Sequence, residues 1–232
     1  VAQRLPPLMA DPILIEQVVL NLLKNAAEAI DSAKLPASRR HIELRVVPRH
    51  TPDEGGVPKE VVPHFKILPS PLLVESRANE ADTLRIRYGN EEHIFVLYFA
   101  DSLETTMNHP QRVAEQGRYF GKVPDKTILE VGQEAAAYAV QLLKDKHFNV
   151  LTKWERVPNT VRYYAVIKVQ MPEGPVYLAD LLIRKGYAWI NGISTELPDD
   201  KRDLPTYMVE LGHLAKKARE SKAGIWAKSP KS

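Results

Sequence analysis

The chain has 232 residues and a formal net charge of +3, and it contains no cysteine, which excludes disulfides, thiolate metal sites and cysteine nucleophiles. Its 44% hydrophobic and 26% charged residues are typical of a globular protein of one or two domains. No apolar run approaches the roughly 20 residues that span a bilayer. The small positive charge favours anionic partners without establishing nucleic-acid binding.

The first predicted element is an apolar helix in ADPILIEQVVLNLLKNAAEAIDSA, where Asp11 suits the N-cap and Pro12 the first helical position. Because this helix is apolar nearly all round, we expect it to bury its surface on the rest of the chain or through self-association. A strand is predicted over 41–48. No basic segment and apolar core precede the helix, so we expect no signal peptide, and the compartment stays open.

Proline and glycine mark the division of the chain into segments. We predict a first segment over 1–57, a proline-rich junction over 58–71, a domain over 72–228 and a short tail over 229–232.

The elements predicted for the long domain alternate between strands and helices. A turn at Gly89-Asn90 joins the second and third strands. The order predicts an α+β fold, a small β-barrel with helices packed on it. The predicted strands are 72–77, 82–88, 93–100, 148–157 and 162–171, and the predicted helices are 132–146, 176–186 and 203–227.

One predicted strand ends in carboxylates. In HIFVLYFADSLETT, an apolar run stops at Asp101, and Glu104 follows three residues later. Paired carboxylates at the end of a buried strand suit a hard cation or proton transfer. An ordinary solvated turn after the strand is the alternative interpretation.

From about Leu72 to Ala227, the sequence resembles the staphylococcal nuclease-like (thermonuclease) family. Five motifs carry the resemblance in the same order: ADTLRIRY, LYFADSLETT, RYYAVIKV, LADLLIRKGYAWI and AKKARESKAGIWA. The resemblance implies an OB-type five-stranded barrel with three packed helices. It also implies calcium-dependent hydrolysis of phosphodiesters, with DNA or RNA as substrate. Members of this family are often secreted or periplasmic.

The resemblance also implies roles for particular residues. Asp82 and Asp101 would bind calcium, with the backbone carbonyl of Ser102 beside them. Glu104 would act as a general base or orient the attacking water, and Arg162 would stabilise charge on the phosphate.

The sequence departs from the family pattern where a second arginine is expected. The ungapped match places Val96 at that position, and the nearby Arg85 and Arg87 lie on the strand of Asp82. Losing a positioned cation at a developing charge costs roughly 10²–10³ in rate, so we expect a weakened nuclease. Val96 favours the alternative, a non-catalytic OB-fold module that binds nucleic acid or protein.

A second resemblance lies in the N-terminal segment. Glu16, Asn21 and Asn25 form an E-x₄-N-x₃-N-A pattern that closely resembles the N-box helix of sensor histidine kinases. In that family the asparagines face the phosphates of ATP and a magnesium ion. The resemblance ends at about Val57, and both glycine-rich segments that the ATP site needs are missing. We therefore expect a vestigial N-box without a functional ATP site, and a fragment of a signalling histidine kinase is the remoter alternative.

Overall fold

A computed structural model describes residues 64–68, 70–198 and 202–229. The chain divides between Glu60 and Val61 into two units, and every described residue belongs to the second. The predicted N-terminal helix with its N-box residues, the predicted strand over 41–48 and the proposed self-association fall outside the described residues.

The described residues form a mixed α+β fold of nine strands, four α-helices and a short 3-10 helix. The strands are β1 (Lys66–Leu68), β2 (Leu72–Leu73), β3 (Thr83–Tyr88), β4 (Glu91–Leu97), β5 (Asp101–Ser102), β6 (Phe148–Thr152), β7 (Tyr163–Met171), β8 (Gly174–Tyr177) and β9 (Ala188–Trp189). The helices are α1 (Pro110–Tyr119), α2 (Asp125–Asp145), α3 (Leu178–Arg184) and α4 (Leu204–Glu220), and the 3-10 helix is Gly224–Ala227.

Seven strands form one sheet in the order β1-β6-β7-β4-β3-β2, with β8 beside β7. All pairs are antiparallel except β4 with β7, where Phe95 lies opposite Tyr163. β5 and β9 form a separate antiparallel pair. The sheet begins earlier in the chain than expected, because β1 lies inside the predicted junction 58–71.

Alternation along β3 separates core residues from surface residues, as strand geometry requires. Leu84 and Ile86 are fully buried, whereas Arg85 and Arg87 lie on the opposite face beside Glu92. Arg87 donates a hydrogen bond of 2.7 Å to the Glu92 carboxylate. Both arginines are therefore engaged at the surface of the sheet.

The strand predicted over 93–100 ends earlier, at Leu97, because the backbone turns sharply at Phe99. The φ of Phe99 is 72°, a left-handed conformation that a strand cannot continue through. The segment that follows β9 holds this turn, since Phe99 N donates to Ile193 O at 3.0 Å. A Cβ on Gly192 would lie 2.7 Å from Phe99 N, so only glycine permits this close approach. After the turn, strand pairing resumes at Asp101, which lies opposite Trp189 of β9.

The prediction of three helices is wrong, because the described residues contain four. Helix α1 was not predicted, since it is largely polar and buries little apolar surface beyond Val113. Helix α2 begins at Asp125 rather than at residue 132. None of the described helices is long and apolar enough to cross a membrane.

Two buried clusters hold the segment that carries the carboxylates. The larger lies between the sheet and helices α2, α3 and α4. The smaller gathers Leu103, Phe120 and Trp189 beside α1 and α2. Because Leu103 is buried in the smaller cluster, its neighbours Ser102 and Glu104 are held in place.

Candidate active site

A cleft of about 740 Å³ opens where β3 begins and β4 ends. Every residue that sequence analysis assigned to the site in the long domain lines this cleft, although these residues come from four separate segments. They are Asp82, Val96, Asp101, Ser102, Glu104 and Arg162.

Asp82 directly precedes β3 and links it to the other elements at the cleft. Its Oδ2 accepts a hydrogen bond of 2.7 Å from the backbone N–H of Ser102, and its Oδ1 accepts one of 3.1 Å from the Thr83 hydroxyl. Its backbone carbonyl accepts from Leu97 N at 2.9 Å. Burial raises the pKa of Asp82, and the two side-chain hydrogen bonds oppose that rise.

Asp101 begins β5 and is only 8% exposed. Its Oδ1 accepts a hydrogen bond of 2.7 Å from Arg112 Nη2, and its Oδ2 accepts one of 3.0 Å from Asn191 Nδ2. Burial, followed by repulsion from Asp82, raises the pKa of Asp101 to about 6, against the attraction of Arg112. Two buried carboxylates that repel one another therefore lie in the cleft.

Glu104 is held through both its side chain and its backbone. Its Oε1 accepts a hydrogen bond of 2.6 Å from Arg112 Nε, and its backbone N–H donates to Gln116 Oε1 at 3.0 Å. The amide of Gln116 also donates to the Ser102 carbonyl at 2.9 Å. That carbonyl, the expected calcium ligand, thus already accepts one hydrogen bond.

Helix α2 supports the same segment from behind. A Cβ on Gly132 would lie 2.2 Å from the carbonyl oxygen of Glu104 and 2.9 Å from that of Leu103. The helix can therefore approach this backbone only because residue 132 has no side chain.

Arg112 joins two of the predicted site residues by an ion pair with each. The two bonds use Nε towards Glu104 and Nη2 towards Asp101. Burial of the guanidinium opposes its charge, but the carboxylates of Asp101 and Glu104 outweigh that effect and raise the pKa of Arg112. Arg112 therefore stays charged between two carboxylates.

Val96 and Arg162 line the cleft near the strands. Val96 is half-buried on β4, opposite Thr83 on one side and Tyr164 on the other. Arg162 is exposed immediately before β7 and forms no ion pair with another described residue. Its charge acts on Glu80, whose pKa is raised by burial and lowered in part by Thr105, Arg162 and Arg112.

Three residues that were not expected from the sequence bind the predicted ones, namely Arg112, Gln116 and Asn191. The first two lie four residues apart on α1, so they share one helix face. Pro110, at the start of α1, is the sequence signal that could have revealed this helix.

No set of three or more His, Asp or Glu side chains among the described residues is arranged to hold a metal ion. The comparison with protein-family models finds no match to this sequence, and neither does the comparison with curated proteins.

Proposed function

We propose that the described domain hydrolyses phosphodiester bonds in DNA or RNA with the help of a divalent cation, calcium in the first instance. The observation that carries this proposal is the meeting of Asp82, Asp101, Glu104 and Arg162 in one cleft. Three buried carboxylates and an arginine that forms no ion pair with another described residue are the groups that this chemistry needs. The resemblance to the staphylococcal nuclease-like family supports the same assignment.

Asp82 and Asp101 suit a hard cation. Both are buried, and burial together with the charge of Asp82 raises the pKa of Asp101, so a cation between them would relieve the repulsion. Calcium and magnesium prefer oxygen ligands, and magnesium often binds through one or two carboxylates together with water and phosphate oxygens. A bound cation would supply positive charge at the phosphate.

Glu104 and Arg162 would act on the reacting groups. Glu104 Oε1 is held by Arg112, which fixes the carboxylate towards the cleft, where it can take a proton from water. The water oxygen would form a bond to phosphorus as the P–O bond to the leaving oxygen breaks, and solvent would protonate that oxygen. Arg162 would stabilise the added negative charge on the phosphate.

We also propose that the sheet is the OB-type barrel that the resemblance implies. The two ends of the strand order, β1 and β2, are separated in sequence by residues 69–71 alone. If β1 and β2 are two halves of one bent strand, the path through β3, β4, β7 and β6 returns to its start. Five strands would then surround the core.

Val96 favours a second candidate, a binding module of the same fold without catalysis. The side chain that lines the cleft there carries no charge, so one contact to the phosphate would be missing. Such a module would bind nucleic acid without cleaving it.

A cleavage assay separates the two candidates. The intact chain would be incubated with plasmid and with single-stranded DNA, with calcium, with magnesium or with EDTA. We expect cleavage only with a divalent cation, and its loss by at least 100-fold in Glu104→Gln. Glu173→Gln, at an exposed turn outside the cleft, serves as the control. Binding without cleavage by the intact chain would support the module and contradict the enzyme.

A further inference from the structure

Arg112 brings a guanidinium into the cleft from α1, at the side where Asp101 and Glu104 lie. At Val96, which also lines the cleft, the chain lacks an arginine that the family resemblance leads us to expect. Arg112 belongs to a different element and reaches the cleft from a different direction, so no alignment of strands would reveal it.

The guanidinium retains donors for a ligand. An arginine has five N–H groups, and the two bonds to the carboxylates use Nε and Nη2. Its Nη1 forms no hydrogen bond with another described residue, and the Arg112 side chain is 47% exposed. A phosphate oxygen in the cleft could therefore accept from Nη1.

The position of Arg112 is fixed by its helix. Gln116, one turn further along α1, binds the backbone on both sides of Leu103. Arg112 binds the Glu104 side chain directly. Helix α1 and the segment 102–104 are thus joined by three hydrogen bonds, and the guanidinium lies against the Glu104 carboxylate.

We propose that Arg112 is a catalytic residue that contacts the scissile phosphate and supplies, from α1, the positive charge that the chain lacks at Val96. This inference rests on the proposed function. Without substrate, Arg112 forms ion pairs with Asp101 and Glu104, and it competes with a divalent cation for Oδ1 of Asp101. With substrate, its charge stabilises the phosphate.

Two binding measurements test this role without cleavage. A fluorescein-labelled single-stranded oligonucleotide in EDTA should bind Arg112→Ala about tenfold more weakly, as expected for one charge-assisted hydrogen bond. Calcium, titrated without DNA, should bind Arg112→Ala at least threefold more tightly because Asp101 Oδ1 is released. An arginine that only supports the structure would weaken both, and that result would overturn the inference.

Arg118→Ala is the matched control, since Arg118 lies on the same helix, is exposed and does not line the cleft. We expect it to change neither measurement. Arg112→Lys keeps the charge but lacks the planar fork of five donors, and it should fall between Arg112→Ala and the unaltered protein. It also replaces Arg112→Ala should that variant fail to fold.

Cleavage supplies the second test. Arg112→Ala should cleave DNA about 100-fold more slowly than the unaltered protein. The double variant with Val96→Arg should cleave at least tenfold faster than Arg112→Ala. Unaltered cleavage by Arg112→Ala would overturn this inference and leave the proposed function standing. Absence of cleavage by the unaltered protein would overturn both.

Discussion

The charged form of Asp101 destabilises the folded protein, because its carboxylate is buried. The carboxyl group is buried beside Asp82, and its pKa rises from 3.8 to about 6. A group whose pKa is raised by folding binds its proton more tightly in the folded state. Its contribution to stability is therefore present at low pH and is lost as the pH rises from about 4 to about 6.

Asp101→Asn should consequently stabilise the protein at pH 7. Removing the buried charge should raise the free energy of unfolding by about 1–3 kcal/mol in EDTA, since one pKa unit corresponds to about 1.4 kcal/mol. Urea unfolding at pH 4, 5, 6 and 7 measures the free energy of unfolding of both proteins. The difference between the variant and the unaltered protein should grow with pH. A difference that stays constant across this range, or a less stable variant at pH 7, would contradict the prediction.

Gln116 is fully buried and joins α1 to the backbone of the site. Gln116→Ala leaves the carbonyl of Ser102 and the N–H of Glu104 unpaired in the interior, which should lower the free energy of unfolding by about 2–4 kcal/mol. Gln133→Ala is the control, since Gln133 also donates to a backbone carbonyl, that of Thr105, but is exposed. Urea unfolding should show a change of about 0.5 kcal/mol or less for the control. Equal losses in the two variants would show that burial of Gln116 is not the cause.

At the scale of elements, two of the glycines in the described helices lie in opposite circumstances. Gly132 in α2 lies against the backbone of Leu103 and Glu104, whereas a Cβ on Gly212 in α4 would meet nothing within 4 Å. Alanine is favoured over glycine in a helix by about 1 kcal/mol.

The two alanine substitutions should therefore have opposite signs. Gly212→Ala should raise the melting temperature, and Gly132→Ala should lower it, because the helix must move away from the site. Gly132→Ala should also weaken the calcium binding that we propose, as the segment 102–104 shifts. A higher melting temperature for Gly132→Ala would mean that α2 adjusts without disturbing the site.

Elements with a regular pattern could be predicted from sequence, and those defined by tertiary contacts could not. The alternation of Leu84, Arg85, Ile86 and Arg87 is typical of a strand such as β3, because alternate side chains lie on opposite faces of the sheet. The end of β4 depends on the left-handed Phe99, which Gly192 permits from a distant part of the chain. No local pattern reveals such a contact.

The same distinction applies to the candidate site. Asp101 and Glu104 could be found because they directly follow a recognisable apolar strand, whereas Asp82 was assigned through the family resemblance. Arg112 could not, since an arginine on a polar helix resembles an ordinary solvated residue until the fold places it between two carboxylates.

At the scale of the whole molecule, the division at Glu60–Val61 predicts that the second unit folds alone. A chain beginning at residue 61 should melt cooperatively at the temperature of the full chain. A chain beginning at residue 72 should be less stable, because it lacks β1 and its pairing with β6. Calorimetry measures the melting temperatures of the full chain and of the two shortened chains. Failure of the residue-61 chain to fold would place part of the core in the first unit.

The parallel pairing of β4 with β7 also determines when the cleft can exist during folding. Phe95 must find Tyr163 across a long stretch of intervening chain, and such non-local pairings form slowly because closing the loop costs entropy. Asp101 additionally depends on Asn191 and on β9, which are made still later in synthesis. A growing chain on the ribosome therefore carries its carboxylates long before it can arrange them, and it acquires a complete cleft only when nearly all of the domain has emerged.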